Sequence, residues 1–123
     1  MTNPLRTGID IIEVSRIEKL NPAIRQRFLS RVYTDAELEI CQDRAECLAG
    51  RFACKEAVAK ALGTGIGDIS WHEIEILADE RKMPILCLHG KAAQIAERLG
   101  LLTWSVSISH IREMAAAVAV GTA

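Results

Sequence analysis

Apolar residues follow two rhythms along the chain. "LRTGIDII" (5–12) is a short apolar run with a β-branched end and reads as a buried strand, after which "EVSRIEKL" shifts to helical spacing. Pro22 opens a further helical piece, "PAIRQRFLS", and Thr34 with Glu37 forms a capping box ahead of "DAELEIC". The one long helix runs from about Glu46 to Leu62 and is closed by Gly63, well placed as a left-handed cap. Beyond it "HEIEILA" (72–78) alternates, "MPILCL" (83–88) follows a charged turn, and "KAAQIAERLG" (91–100) is helical as far as Gly100. "WSVSIS" (104–109) alternates again, and "MAAAVAV" (114–120) returns as the second arm of a hairpin after a short turn from His110 to Glu113. This order predicts an α+β fold, a mainly antiparallel sheet packed on one long helix and several short helices, in a single domain over 1–123.

Composition narrows the picture. With 50% apolar and only 4% aromatic residues in 123, the core is aliphatic and modest, and a subunit interface would add burial that so small a chain lacks. The net charge of −1 gives no global field for nucleic acid, and no apolar run approaches the ~20 residues that span a bilayer. Charge is uneven all the same. Residues 13–31 hold Arg16, Lys19, Arg25, Arg27 and Arg31 against Glu13 and Glu18, a net +3, whereas 34–47 hold five acids against Arg44, a net −4. The first patch is either a solvated helical face or a surface for an acidic partner. Cys41, Cys47, Cys54 and Cys87 form no C-x-x-C pair and no zinc spacing, and nothing ahead of them resembles a secretory signal, so reduced thiols in the cytosol are expected.

On a helical wheel Leu48, Ala49, Phe52 and Ala53 form one stripe, and Glu56 falls inside it with Lys60 one turn later. The two charges are either an ordinary i,i+4 pair or half of a site that holds a metal and phosphates. Asp10 is a second acid at a position that periodicity would give to an apolar side chain, and two converging carboxylates suit magnesium. "GTGIG" (63–67) lets backbone amides approach a phosphate; it is no Walker motif, and it lies at a helix C-terminus, so Lys60, with Arg51 and Lys55, must supply the positive charge. In "SVSISH" (105–110), Ser105, Ser107 and Ser109 share one face of a strand that ends in His110, a residue able to donate to a phosphate or to sit satisfied in a turn.

Taken together, "GIDIIEVSRI", "LAGRFACKEAVAKALGTGIG" and "VSISH" resemble the holo-acyl-carrier-protein synthase family, the short, stand-alone type of 4′-phosphopantetheinyl transferase, over nearly the whole chain. The resemblance implies an α+β homotrimer with active sites between subunits. It also implies a cytoplasmic, magnesium-dependent enzyme that moves phosphopantetheine from coenzyme A to a serine of apo acyl carrier protein in support of fatty acid biosynthesis. By position, Asp10 and Glu56 resemble the magnesium ligands, Lys60 the lysine on the pyrophosphate, and His110 the histidine that reaches the phosphates from across the interface. Glu56, Lys60 and His110 are then the catalytic residues. Arg51, Gly63 and Gly65 complete the coenzyme A contacts, and Arg16, Arg25 and Arg27 the surface that meets the carrier protein. The chain departs from the family pattern at Cys54, where alanine is usual, and at "RKMP" (81–84), which replaces a G-K-P turn. A non-catalytic coenzyme A-binding module and a structural domain with surface ion pairs are the alternatives.

Overall fold

The computed structural model describes residues 4–123. Strand β1 (Leu5–Glu13) leads into the single turn α1 (Ser15–Glu18), then α2 (Pro22–Val32), α3 (Asp35–Cys41) and α4 (Ala45–Leu62). A 3-10 turn at Trp71–Glu73 precedes β2 (Ile74–Ala78) and β3 (Pro84–Leu88), and α5 (Gly90–Arg98), β4 (Thr103–His110) and β5 (Met114–Thr122) complete the chain. The strands form two antiparallel sheets, one in the order β1-β5-β4 and the other pairing β2 with β3. In the larger sheet β5 is central, with Asp10 and Ile108 flanking Ala117 on its two sides.

Local chemistry accounts for most of the boundaries. The Thr34 hydroxyl accepts from the Glu37 amide while the Glu37 carboxylate accepts from the Thr34 amide, so both ends of the expected capping box are formed. Gly63 ends α4 at φ +76°, a left-handed conformation that favours glycine. The helical reading of 13–20 shortens to one turn, Ser15–Glu18, with Val14 and Ile17 buried in the core. Residues 72 and 73 belong to the 3-10 turn rather than to the strand, where the Glu73 carboxylate accepts from the Ser70 amide at 3.2 Å and the Glu73 amide donates to the Ser70 carbonyl at 3.1 Å.

Helix α4 lies on the inner face of the larger sheet and also packs against β2, α1 and α3. The expected single apolar stripe is therefore incomplete. Leu48, Ala49 and Ala53 are buried, but so are Gly50, Cys54, Ala57, Val58, Ala59 and Ala61, because neighbours surround the helix. Close approach to β1 depends on Gly8, where a Cβ would lie 1.8 Å from the Ala57 carbonyl oxygen.

One expectation is overturned. Cys41 and Cys47 are joined in a disulfide, so only Cys54 and Cys87 are free thiols. The end of α3 and the first turn of α4 bring the two Cα atoms to 5.3 Å, a proximity set by the turn between the helices and invisible in the spacing of the cysteines. Among the described residues, no helix is long and apolar enough to cross a membrane.

Candidate active site

Strand parity decides where Asp10 points. Gly8 and Ile12 face α4, so Asp10 faces it too, while Ile9 and Ile11 turn outward, 67% and 61% exposed. There the Asp10 carboxylate meets the last turn of α4. Lys60 Nζ lies 3.2 Å from Asp10 Oδ1 and donates to the Ile9 carbonyl at 2.9 Å. Among the described residues no ion pair joins Lys60 to Glu56, so the intrahelical pairing that the i,i+4 spacing allows is replaced by one that crosses from helix to strand.

Glu56, half-buried, stands one turn before Lys60. Burial raises its carboxyl above the ordinary value, and the negative charge of Asp10 raises it further, with Lys60 and Arg16 opposing. Two carboxylates that repel each other beside one ammonium form an electron-rich point with room for more positive charge. The donors are hard oxygens with no thiol or imidazole among them, which fits magnesium and not zinc.

The remaining expected residues divide into two groups. Gly63 and Gly65 follow Lys60 directly, with Gly65 open to solvent on its Cα side and Gly63 close to the Arg6 guanidinium. Arg6 was not singled out by sequence reasoning; its Nη1 donates to the Ala61 carbonyl at 3.4 Å, and its position on a strand gave no hint that it closes a helix end. His110 and Arg51 are not brought to Asp10 and Glu56 within the chain. They line a separate cavity of about 690 Å³ with Arg44, Glu46, Cys47 and Lys82. Arg51 is 8% exposed and anchored by its Nε to the Ile76 carbonyl at 3.1 Å.

Lys55 takes no part in a phosphate site. Its side chain is sealed in the core on Glu37, which corrects the expectation that it adds positive charge near the glycines. On the basic surface, Arg16 and Arg27 are exposed, whereas Arg25 is half-buried, paired with Asp43 and bonded to the Ile17 carbonyl at 3.2 Å.

Comparison with known proteins identifies the family of the chain. The model of the 4′-phosphopantetheinyl transferase superfamily matches residues 6–119. A holo-[acyl-carrier-protein] synthase of Herpetosiphon aurantiacus is 47% identical over 124 residues, covering 95% of this chain and 98% of that protein. The crystal structure of Helicobacter pylori holo-[acyl-carrier-protein] synthase in complex with coenzyme A is similar with a TM-score of 0.84 at 34% identity, covering 94% of this chain and 98% of that one. A holo-(acyl-carrier-protein) synthase from Bacillus anthracis in complex with CoA (3′,5′-ADP) gives a TM-score of 0.78 at 35% identity, with 98% of each chain covered. An aspartate on the helix-facing side of an edge strand, answered by a glutamate and a lysine one turn apart, thus sits in a chain that belongs to the 4′-phosphopantetheinyl transferase superfamily.

Proposed function

We propose that the protein is a cytoplasmic holo-acyl-carrier-protein synthase, which transfers 4′-phosphopantetheine from coenzyme A to a serine of apo acyl carrier protein and so supports fatty acid biosynthesis. The observation that carries this reading is the convergence of Asp10, Glu56 and Lys60 in a chain whose relatives bear that name. The serine oxygen attacks the β-phosphorus of coenzyme A, the P–O bond toward the adenosine side breaks, and adenosine 3′,5′-bisphosphate leaves. Lys60 stabilises the charge that grows on the pyrophosphate, and its own position is fixed by Asp10 and the Ile9 carbonyl. Glu56, one turn before Lys60 on α4, takes the serine proton directly or through a water. Asp10 and Glu56 would hold magnesium, whose chemistry is to neutralise and polarise the pyrophosphate.

The outer face of the larger sheet supports assembly into a trimer. Leu5, Ile9, Ile11 and Val118 are exposed there, and Ser105, Ser107 and Ser109 stand beside them on β4. A contiguous apolar face of this kind marks an interface. Packing subunits through it would give His110 and Arg51 of one chain a route to the phosphates held near Asp10 and Glu56 of another, with Gly63 and Gly65 admitting those phosphates to the backbone. Arg16, Arg27 and the internally paired Arg25 offer positive charge to an acidic carrier protein.

The test is the mass of an apo acyl carrier protein after incubation with this protein, coenzyme A and magnesium, with a parallel sample in EDTA. A gain of one phosphopantetheine, absent in EDTA and nearly absent with Asp10→Asn, is the expected result. A competent carrier whose mass does not change would sink the transferase reading.

A further inference from the structure

The turn that Cys41 and Cys47 close is unusual in its backbone. Gln42 and Asp43 both lie at positive φ, 48° and 62°, a region that L side chains disfavour. Gln42, Arg44 and Cys47 form part of the wall of the cavity shared by Arg51 and His110. The two sulfurs are not equivalent. Cys41 is fully buried, whereas Cys47 is partly exposed and has the Arg51 Nη1 3.4 Å from its Sγ.

We propose that Cys41–Cys47 is a thiol–disulfide switch that sets the wall of the Arg51 cavity and exchanges with low-molecular-weight thiols and disulfides. In the opening direction a small thiolate attacks Sγ of Cys47 from the cavity side and forms a mixed disulfide; the S–S electron pair leaves on Cys41, which takes up a proton. A second small thiolate then attacks the small-molecule sulfur, releasing a small disulfide and the Cys47 thiolate. Two small thiols are oxidised and two cysteines reduced, and closure is the reverse, with Cys47 attacking and Cys41 resolving.

The Arg51 guanidinium stabilises the Cys47 thiolate. Opening therefore has two effects at the cavity. It lets residues 42 and 43 leave their disfavoured conformation, and it gives Arg51 an anionic neighbour that competes with any phosphate. The consequence for turnover, weaker coenzyme A binding in the reduced form, rests on the proposed transferase reading.

The full chain is equilibrated across ratios of reduced to oxidised glutathione, alkylated and weighed, and amide hydrogen exchange is followed over 41–47. Cys41 and Cys47 are expected to gain and lose label together, while Cys54, whose thiol burial pushes up to about 12, stays unlabelled. Exchange over 42–46 should quicken about tenfold or more on reduction. A bond that stays closed at the most reducing ratio, or thiols that stay free at the most oxidising one, overturns the proposal, as does opening without any change in exchange. Reduction should also raise the KM for coenzyme A by about fivefold or more. The double variant Cys41→Ala/Cys47→Ala should hold the raised value whatever the ratio. A pair that cycles in a protein without transferase activity would overturn the transferase reading and leave the switch standing; a cycling pair with an unchanged KM would overturn the link to coenzyme A.

Discussion

The ammonium of Lys55 lies 2.8 Å from Oε1 of Glu37, with neither side chain reached by solvent. Every polar atom of the pair has another partner. Lys55 donates to the carbonyls of Trp71 and Ile74 at 3.0 and 2.6 Å, and Glu37 accepts from the amides of Thr34 and Ile76 at 2.9 and 2.8 Å. The pair thereby fastens α3 and α4 to the start of β2. Removing one partner strands a buried charge, so Lys55→Met is predicted to cost about 3–5 kcal/mol in urea unfolding. The double variant Lys55→Met/Glu37→Leu should cost less than the sum of the single changes. A loss below about 1 kcal/mol for Lys55→Met would show that the pair contributes little.

Glu56 gives stability a sign with pH. Its folded carboxyl titrates above the unfolded value of 4.5, chiefly through burial and then through Asp10, so in the window just above 4.5 the folded state binds more protons than the unfolded one. Stability contributed by this group is complete below that window and declines as pH rises through it. Glu56→Gln should flatten the decline and raise Tm at neutral pH. Magnesium should raise the Tm of the parent protein and have little effect on the variant. Parallel pH profiles for the two proteins would refute the first statement, and equal magnesium shifts the second.

Two glycines should respond in opposite ways to the same methyl group. At Gly8 an added Cβ meets the Ala57 carbonyl at 1.8 Å, and separating β1 from α4 to relieve it should cost about 3 kcal/mol. At Gly65 nothing lies within 4 Å of the added atom, so Gly65→Ala should change stability by less than about 0.5 kcal/mol. If Gly65 admits phosphates as proposed, its alanine variant loses affinity for coenzyme A while keeping its Tm. Isothermal binding and thermal unfolding on the same preparations separate the two effects.

Charge reversal on the basic surface should separate docking from packing. Arg16 is exposed, so Arg16→Glu is predicted to raise the KM for the carrier protein at low salt, with the difference shrinking as ionic strength rises. Arg25→Glu should lower Tm as well, because it places a carboxylate against Asp43 and gives up the bond to the Ile17 carbonyl. Equal carrier KM for Arg16→Glu and the parent would move the docking surface elsewhere.

What could be read from the sequence was what short-range chemistry governs. The Thr34–Glu37 box and the Gly63 cap involve residues a few positions apart, and the inward turn of Asp10 follows from strand parity with Gly8 and Ile12. Periodicity failed where burial comes from several sides, as around α4, whose alanines and Cys54 are covered by different neighbours. It also failed wherever a distant residue outcompetes a near one. Lys60 bonds to Asp10, fifty positions away in sequence, instead of to Glu56 four positions away, because the strand carboxylate and the Ile9 carbonyl can be satisfied together. The Cys41–Cys47 bond escaped for a related reason, since it depends on a turn through Gln42 and Asp43 that neither residue advertises.

Helix α4 carries Arg51 and Lys55 on one side, both buried, and Glu56 and Lys60 on another, while most of its remaining surface is packed in the core. A change in its tilt made to suit one of these residues would displace the others. Descendants of this chain can therefore drift at the tips of the 79–83 and 111–113 turns, but the helix must be inherited nearly whole. Attempts to breed a hardier enzyme should leave it untouched and look for gains at those turns, sparing Lys82, which lines the cavity of Arg51 and His110.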